Sequence, residues 1–185
     1  IMDVLQTLGV SAADSANYCV KVIKDRLPVQ QTSFGEPYNP TFFEVYGQGN
    51  FMKASQGCRR DLNIQGLRAF DLRTFKPNGE AWDCRKSSDR RQARQYVEDE
   101  KPTWVIGCPP CTFFSLWNQG LNHKKMDPEV VGQRRQEAVK HLRFVIGIYK
   151  IQLDGGRHFL HEHPETATSW KDPVSYTHLT LPTIL

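Results

Sequence analysis

The feature that most constrains this fold is how its short apolar runs end. Phe42-Phe43-Glu44-Val45-Tyr46 runs straight into Gly47-Gln48-Gly49. Leu67-Arg68-Ala69-Phe70 stops at Asp71, Trp104-Val105-Ile106 breaks at Gly107, and His158-Phe159-Leu160-His161 is closed by Pro164. Runs of this length, rich in aromatic and β-branched residues and bounded by turn formers, read as strands. Helical patterns separate them. A short helix is expected near Asn50, and a charged helix, capped by Ser87 or Ser88, runs to about Asp99. A long helix begins at Asp127-Pro128, where the missing proline N–H costs nothing in the first turn. Its apolar face is Ala138, Leu142, Val145 and Tyr149, and Gly155-Gly156 ends it. Strands alternating with helices predict an α/β fold with a mostly parallel sheet and right-handed crossovers. Ligands of such sheets sit at the carboxyl ends of the strands. Gly47 and Gly49, Asp71, the Cys108 to Cys111 loop, and His161 to His163 all fall at such ends.

The flanks differ from this pattern. Residues 11–27 read as a helix that Pro28 ends, and residues 30–40 as a polar linker holding Pro37 and Pro40. Residues 1–40 are therefore expected to be an N-terminal helix and linker, and 41–173 the α/β domain. From Val174 the chain reads Val-Ser-Tyr-Thr-His-Leu-Thr-Leu-Pro-Thr, which resembles a translated sequencing adapter. Residues 174–185 are accordingly set aside from fold reasoning as a sequencing artefact. The hydrophobic fraction, 39% of 185 residues, fits a modest core with part of the chain outside it. No apolar run is long enough for a membrane span, so no membrane partner is expected. Five cysteines at irregular spacing argue against a disulfide framework and for a reducing, intracellular compartment, nuclear and cytoplasmic being indistinguishable. A net charge of +4 permits a polyanionic partner without requiring one.

Several residues carry possible chemistry. Gly47 and Gly49 leave the backbone bare where a strand turns into a helix, so a nucleotide-like ligand can approach; a tight turn alone explains them equally well. Asp71 suits a bidentate hydrogen bond to ribose hydroxyls, or a strand-end turn. Asp83 follows Trp82 and offers a carboxylate for an adenine amino group beside an aromatic wall, or an Asx turn. In Gly107-Cys108-Pro109-Pro110-Cys111, two prolines stiffen the loop and hold Cys111 at its tip, and a rigid nucleophile loses little orientational entropy on reaction. The same segment admits a Cys108-x-x-Cys111 redox dithiol, a zinc site completed by His161 and His163, or an inert structural turn. Glu162, at a strand end among apolar residues, is a candidate proton carrier. Arg85, Lys86, Arg90, Arg91 and Arg94, and then Arg134, Arg135, Lys140 and Arg143, are either phosphate contacts or solvated helix faces.

Taken in order, these pieces resemble the catalytic half of a cytosine-5 DNA methyltransferase, from Phe42 to about Trp170. Glu44-Val45-Tyr46-Gly47-Gln48-Gly49 is similar to the family's first motif, although the family has one more residue before the first glycine. Gly107 to Ser115 is similar to its catalytic loop, and Glu162-His163 to its Glu-Asn motif with His replacing Asn. The resemblance implies a Rossmann-like S-adenosylmethionine-dependent methyltransferase fold, incomplete here, since the later basic motif and target-recognition region are not seen. It implies Cys111 as nucleophile and Glu162 as the acid on the base. Tyr46, Gly47, Gly49, Asp71, Asp83 and Pro109 would bind S-adenosylmethionine, with no metal, and the substrate would be DNA or RNA. The sequence is also similar to methyltransferase-like segments of retroelement-type polyproteins, in which a non-catalytic nucleic-acid-binding module is the alternative.

Overall fold

The computed structural model describes residues 39–62, 64–173 and 175. The helix expected at 11–27, most of the linker and nearly all of the tail at 174–185 lie outside the described residues. The described chain is α/β. Strand β1 (Thr41–Val45) is followed by α1 (Asn50–Leu62), β2 (Gln65–Phe70) and α2 (Ser87–Glu100). Then come β3 (Trp104–Gly107), α3 (Pro128–Asp154) and β4 (His158–His161). The four strands form one sheet in the order β2-β1-β3-β4, and every pairing is parallel.

The order matters for function. The chain steps outward from β1 to β2, then crosses back past β1 to β3, so the direction of winding reverses between β1 and β3. A crevice opens outside the carboxyl ends at such a reversal. The register sharpens this. Val45 pairs with Phe70 on one side and Gly107 on the other, and Gly107 pairs with His161. Phe70, Val45, Gly107 and His161 thus form one row across the sheet. Asp71, Tyr46, Cys108 and Glu162 are the residues that leave it, all at the same level.

Alternation along the strands divides the core. Phe43, Val45, Phe70 and Val105 face α2 and α3, where Ala93, Val97, Leu142, Val145 and Tyr149 complete the larger cluster. Phe42 and Ile106 face the other way, toward Phe51 and Ala54 of α1. Trp82 lies in the larger cluster, 4.8 Å from Phe70 in an edge-to-face contact.

The helix signals hold with local exceptions. Asp127 caps α3 by accepting from the Glu129 N–H at 2.7 Å, Pro128 occupies the first turn, and Gly155 with Gly156 closes the far end. For α2, neither Ser87 nor Ser88 is the cap. Lys86 occupies that position without a side-chain cap, and Asp89 is the acidic residue of the first turn. Strand β2 begins two residues earlier than the apolar run, because Gln65 and Gly66 pair with Thr41 and Phe42 of β1, and Gly66 packs directly on Met52 and Ser55 of α1. Residues 112–125, which carry no clear periodicity, wind through short irregular turns: Thr112–Phe114, Asn118–Asn122 and His123–Lys125.

Candidate active site

The turn after β1 is organised by Glu44. This residue is only 2% exposed, and its Oε1 accepts from the Met52 N–H at 2.8 Å. The amides of Phe51, Gly49 and Asn50 also point at the carboxylate. Burial raises the Glu44 pKa to about 7 despite these donors. A side chain at Gly47 would collide with Glu44 Oε2, so glycine is required there by contact. Gly49 is required by conformation, with φ at +76°. The amides that open α1 are therefore satisfied from within the chain. This suits a ligand that brings no phosphate to the turn.

Tyr46 leaves β1 with φ at 63° and turns toward α3. Its hydroxyl shares a 2.7 Å hydrogen bond with His141 Nδ1, and its ring meets His141 and Phe144 edge-on. Burial raises the Tyr46 pKa and lowers that of His141, so both are neutral near pH 7. Asp71 makes an Asx turn, accepting from the Arg73 N–H at 2.9 Å, while its own N–H donates to Thr74 at 3.0 Å. It remains half-buried at the sheet edge. Asp83 is more strongly engaged. Arg85 donates to it from its backbone, from Nε at 2.9 Å and from Nη2 at 3.0 Å, and this ion pair holds the Asp83 pKa below the usual carboxylate value. The aromatic wall expected beside Asp83 is absent from the site. Trp82 is buried to 1% exposure, because Phe70 and Tyr96 enclose it.

Beneath this loop lies a pair that pattern reading missed. Lys76 Nζ donates to Asp89 Oδ1 at 2.8 Å, and Asp89 Oδ2 accepts from the Asp83 N–H at 2.8 Å. Burial pushes the Asp89 pKa upward, but Lys76 and the Asp83 N–H outweigh it and leave it lowered. Pairing over this distance in sequence leaves no periodic trace.

The second half of the edge starts at Gly107. A side chain here would strike the Tyr149 hydroxyl and Val145. The Gly107 carbonyl accepts from the Glu162 N–H at 2.9 Å and from the Tyr149 hydroxyl at 3.2 Å. Tyr149 Oη also lies 2.9 Å from His161 Nδ1. Burial drives the His161 pKa down to about 3, with His163 adding to the effect, and raises that of Tyr149. Both rings are thus neutral, and one arrangement satisfies both contacts: His161 Nδ1–H donates to Tyr149, whose O–H donates to Gly107. Tyr149 thereby joins the root of the Pro-Pro-Cys loop to the residue before Glu162. Sequence reading found Tyr149 only as a core position; its hydroxyl was the one available signal.

The loop itself is set by further backbone bonds. The Cys108 N–H donates to the Val45 carbonyl at 3.0 Å, which ties it to β1. Pro109 is buried and Pro110 exposed. Cys111, half-buried, caps the Thr112–Phe114 turn, its carbonyl accepting from the Phe114 N–H at 2.9 Å. Cys108 and Cys111 are thiols. Among the described residues, no three His, Cys, Asp or Glu side chains converge as metal ligands. His163 is buried, bonded through Nδ1 to Ser169 and packed near Phe114 and Trp170. A cleft of about 540 Å³ opens beside the loop. Pro110, Phe113, Asn118, Arg134 and His141 are among its walls. That volume is within the range of small-molecule sites.

The structure therefore brings Gly47, Asp71, the Cys111 loop and Glu162 to one edge of the sheet, directs Tyr46 to α3, and pairs Asp83 with Arg85. No helix among the described residues is long and apolar enough to cross a membrane. Compared with models of protein families, with curated proteins and with solved structures, the chain matches none.

Proposed function

We propose that residues 41–173 are the catalytic half of an S-adenosylmethionine-dependent cytosine-5 methyltransferase with a Rossmann-like methyltransferase fold, acting on DNA or RNA. The observation that carries this reading is the common row of Phe70, Val45, Gly107 and His161. It delivers a glycine turn, an acid, a proline-stiffened cysteine and a second acid to one edge, at the reversal of winding. The donor set fits the cofactor. Glu44 already occupies the α1 amides, which favours a ligand without phosphate, and Asp71 offers a ribose-binding carboxylate. Asp83 would need to give up Arg85 to reach an adenine amino group.

When bound, S-adenosylmethionine would supply an electrophilic methyl group. The chain would do the rest. Cys111 adds as thiolate to C6 of a cytosine extruded from the stack. Glu162 donates a proton to N3 as the C6–S bond forms, which leaves C5 nucleophilic. After C5 is methylated, solvent water takes the C5 proton, the N3 proton returns to Glu162, and the C6–S bond breaks to release Cys111 as thiolate. In this scheme Glu162 is tied to the root of the Cys111 loop by its N–H, which donates to the Gly107 carbonyl.

The test is covalent trapping. Incubation of the full chain with S-adenosylmethionine and a duplex containing 5-fluorocytosine should give a protein–DNA adduct, mapped to Cys111 by peptide mass spectrometry. Cys111→Ser should abolish it completely without altering thermal unfolding. An absent adduct, or one that survives Cys111→Ser, refutes the reading.

A further inference from the structure

Among the described residues, only two other than glycine have positive φ: Lys101 at 46° and Tyr46 at 63°. Lys101 closes α2, where a left-handed residue is an ordinary helix ending. Tyr46 ends no helix. It stands between Val45, the last residue of β1, and Gly47. A bulky side chain is sterically disfavoured in that region, and the conformation persists only where neighbouring contacts enforce it.

Those contacts come from three directions. The Tyr46 N–H donates to the Phe70 carbonyl of β2 at 2.9 Å. The ring lies edge-on to His141 and Phe144 of α3, with ring centres 5.4 and 6.1 Å away. The hydroxyl shares its 2.7 Å hydrogen bond with His141 Nδ1, and the buried Cys84 thiol meets the same hydroxyl. Cys84 directly follows Asp83, and its carbonyl accepts from Arg90 Nη1 at 2.8 Å. One phenol thus joins the turn after β1 to α3 and to the Asp83 loop. Packing alone would be served by phenylalanine, so the hydroxyl has a separate task. If Tyr46 relaxed to negative φ, the chain after it would swing. Gly47 already lies against Glu44, and the α1 amides would be drawn off the Glu44 carboxylate.

We propose that His141 and Tyr46 are positioning residues, whose hydrogen bond holds Tyr46 left-handed and so sets the Gly47–Gly49 turn and the Asp83 loop to receive a nucleoside ligand. This rests on the proposed function in one respect: the ligand is taken to be S-adenosylmethionine. With its ring committed to α3, Tyr46 acts on that ligand through the backbone it bends. His141 also lines the cleft beside the Cys111 loop, so one imidazole stands between the two parts of the site.

The experiment takes two readouts on the full chain, one of them free of ligand. Hydrogen–deuterium exchange in the peptide spanning residues 46–52 reports the turn itself. Tyr46→Phe and His141→Ala should each speed exchange there by about 2- to 10-fold, with β3 and β4 unchanged. His141→Asn, whose side-chain amide reaches the place of Nδ1, should restore the wild-type rate. The double variant of Tyr46→Phe with His141→Ala should be no faster than either alone, because both remove the same bond. Calorimetric titration with S-adenosylmethionine should show Kd raised by a similar factor in Tyr46→Phe and His141→Ala, and near wild type in His141→Asn. Wild-type exchange in Tyr46→Phe overturns the inference. Faster exchange spread equally over β3 and β4 also overturns it, since that is loss of packing. An unaltered Kd in a variant whose turn exchanges faster overturns it too. A wild-type chain that binds no S-adenosylmethionine sinks the proposed function, while the exchange rates still decide the positioning.

Discussion

The two halves of the sheet edge are held by different kinds of interaction. At the ends of β1 and β2 most of the polar contacts, the neutral Tyr46–His141 bond apart, involve charges: Glu44 on the α1 amides, Arg85 on Asp83, and Lys76 on Asp89. At the ends of β3 and β4 they are neutral: His161, Tyr149 and the Gly107 carbonyl, with aromatic packing around His163. Each half has one glycine fixed by side-chain contact, Gly47 by Glu44 and Gly107 by Tyr149 and Val145. The ends of β1 and β2 should therefore respond to pH and salt, while the ends of β3 and β4 should respond to shape.

The largest expected effect is on pH dependence. Glu44 has a folded pKa raised to about 7 from an ordinary 4.5. Its contribution to stability is full below pH 4.5 and is lost as pH rises through 7. The stability of Glu44→Gln relative to wild type should rise across that window by about 3 kcal/mol in total, then level off. His161 works the other way, losing stability as pH falls from 6.5 toward 3, but it is common to both proteins and cancels from the difference. Denaturation at a series of pH values gives the result, and a flat difference would mean that burial does not raise the Glu44 pKa in the folded chain.

Shape comes next. Gly107→Ala forces a methyl group onto Tyr149 and Val145 and should cost about 1–3 kcal/mol. Adding Tyr149→Phe removes the atom nearest the new methyl and should return part of that loss, a coupling that a double-mutant cycle reads directly. Tyr149→Phe alone should cost about 1 kcal/mol, unchanged by salt. Additive effects would separate Gly107 from Tyr149. The smallest effect belongs to Arg85→Gln. Its guanidinium is well exposed, so stability should hardly move and the Asp83 pKa should return toward the ordinary carboxylate value. Carboxyl NMR titration measures this, and added salt should erase most of the shift in the wild type.

How much of this was legible depends on how local each signal is. β4 matches the run from His158 to His161, and α3 begins and ends at its Pro and Gly-Gly signals, because strand ends and caps are written in adjacent residues. The grouping of Gly47, Asp71, Cys111 and Glu162 was legible for the same reason, given only the rule that parallel strands share a ligand edge. The rest depends on distant partners. Nothing near Gly66 announces that it lies against Met52, and Tyr149 shows a core position but not a hydroxyl spanning two loops. Trp82 beside Asp83 read as a wall because its partners Phe70 and Tyr96 are set by the sheet and α2, not by neighbours in sequence. Residues 112–125 combine three short turns of two kinds and so have no single period to detect.

The common row of Phe70, Val45, Gly107 and His161 also bears on how the chain folds. All of its pairings are parallel, so each joins segments separated by a full crossover, and the contact between Thr41 and Thr103 spans 62 residues. Loop-closure entropy is lost before such contacts return anything, which makes this kind of nucleus slow to form. During synthesis, β1 can wait beside β2, but the edge that carries Cys111 has no settled geometry until His161 has left the ribosome and closed the row. Cys111 and Glu162 are then brought to one edge in one late step.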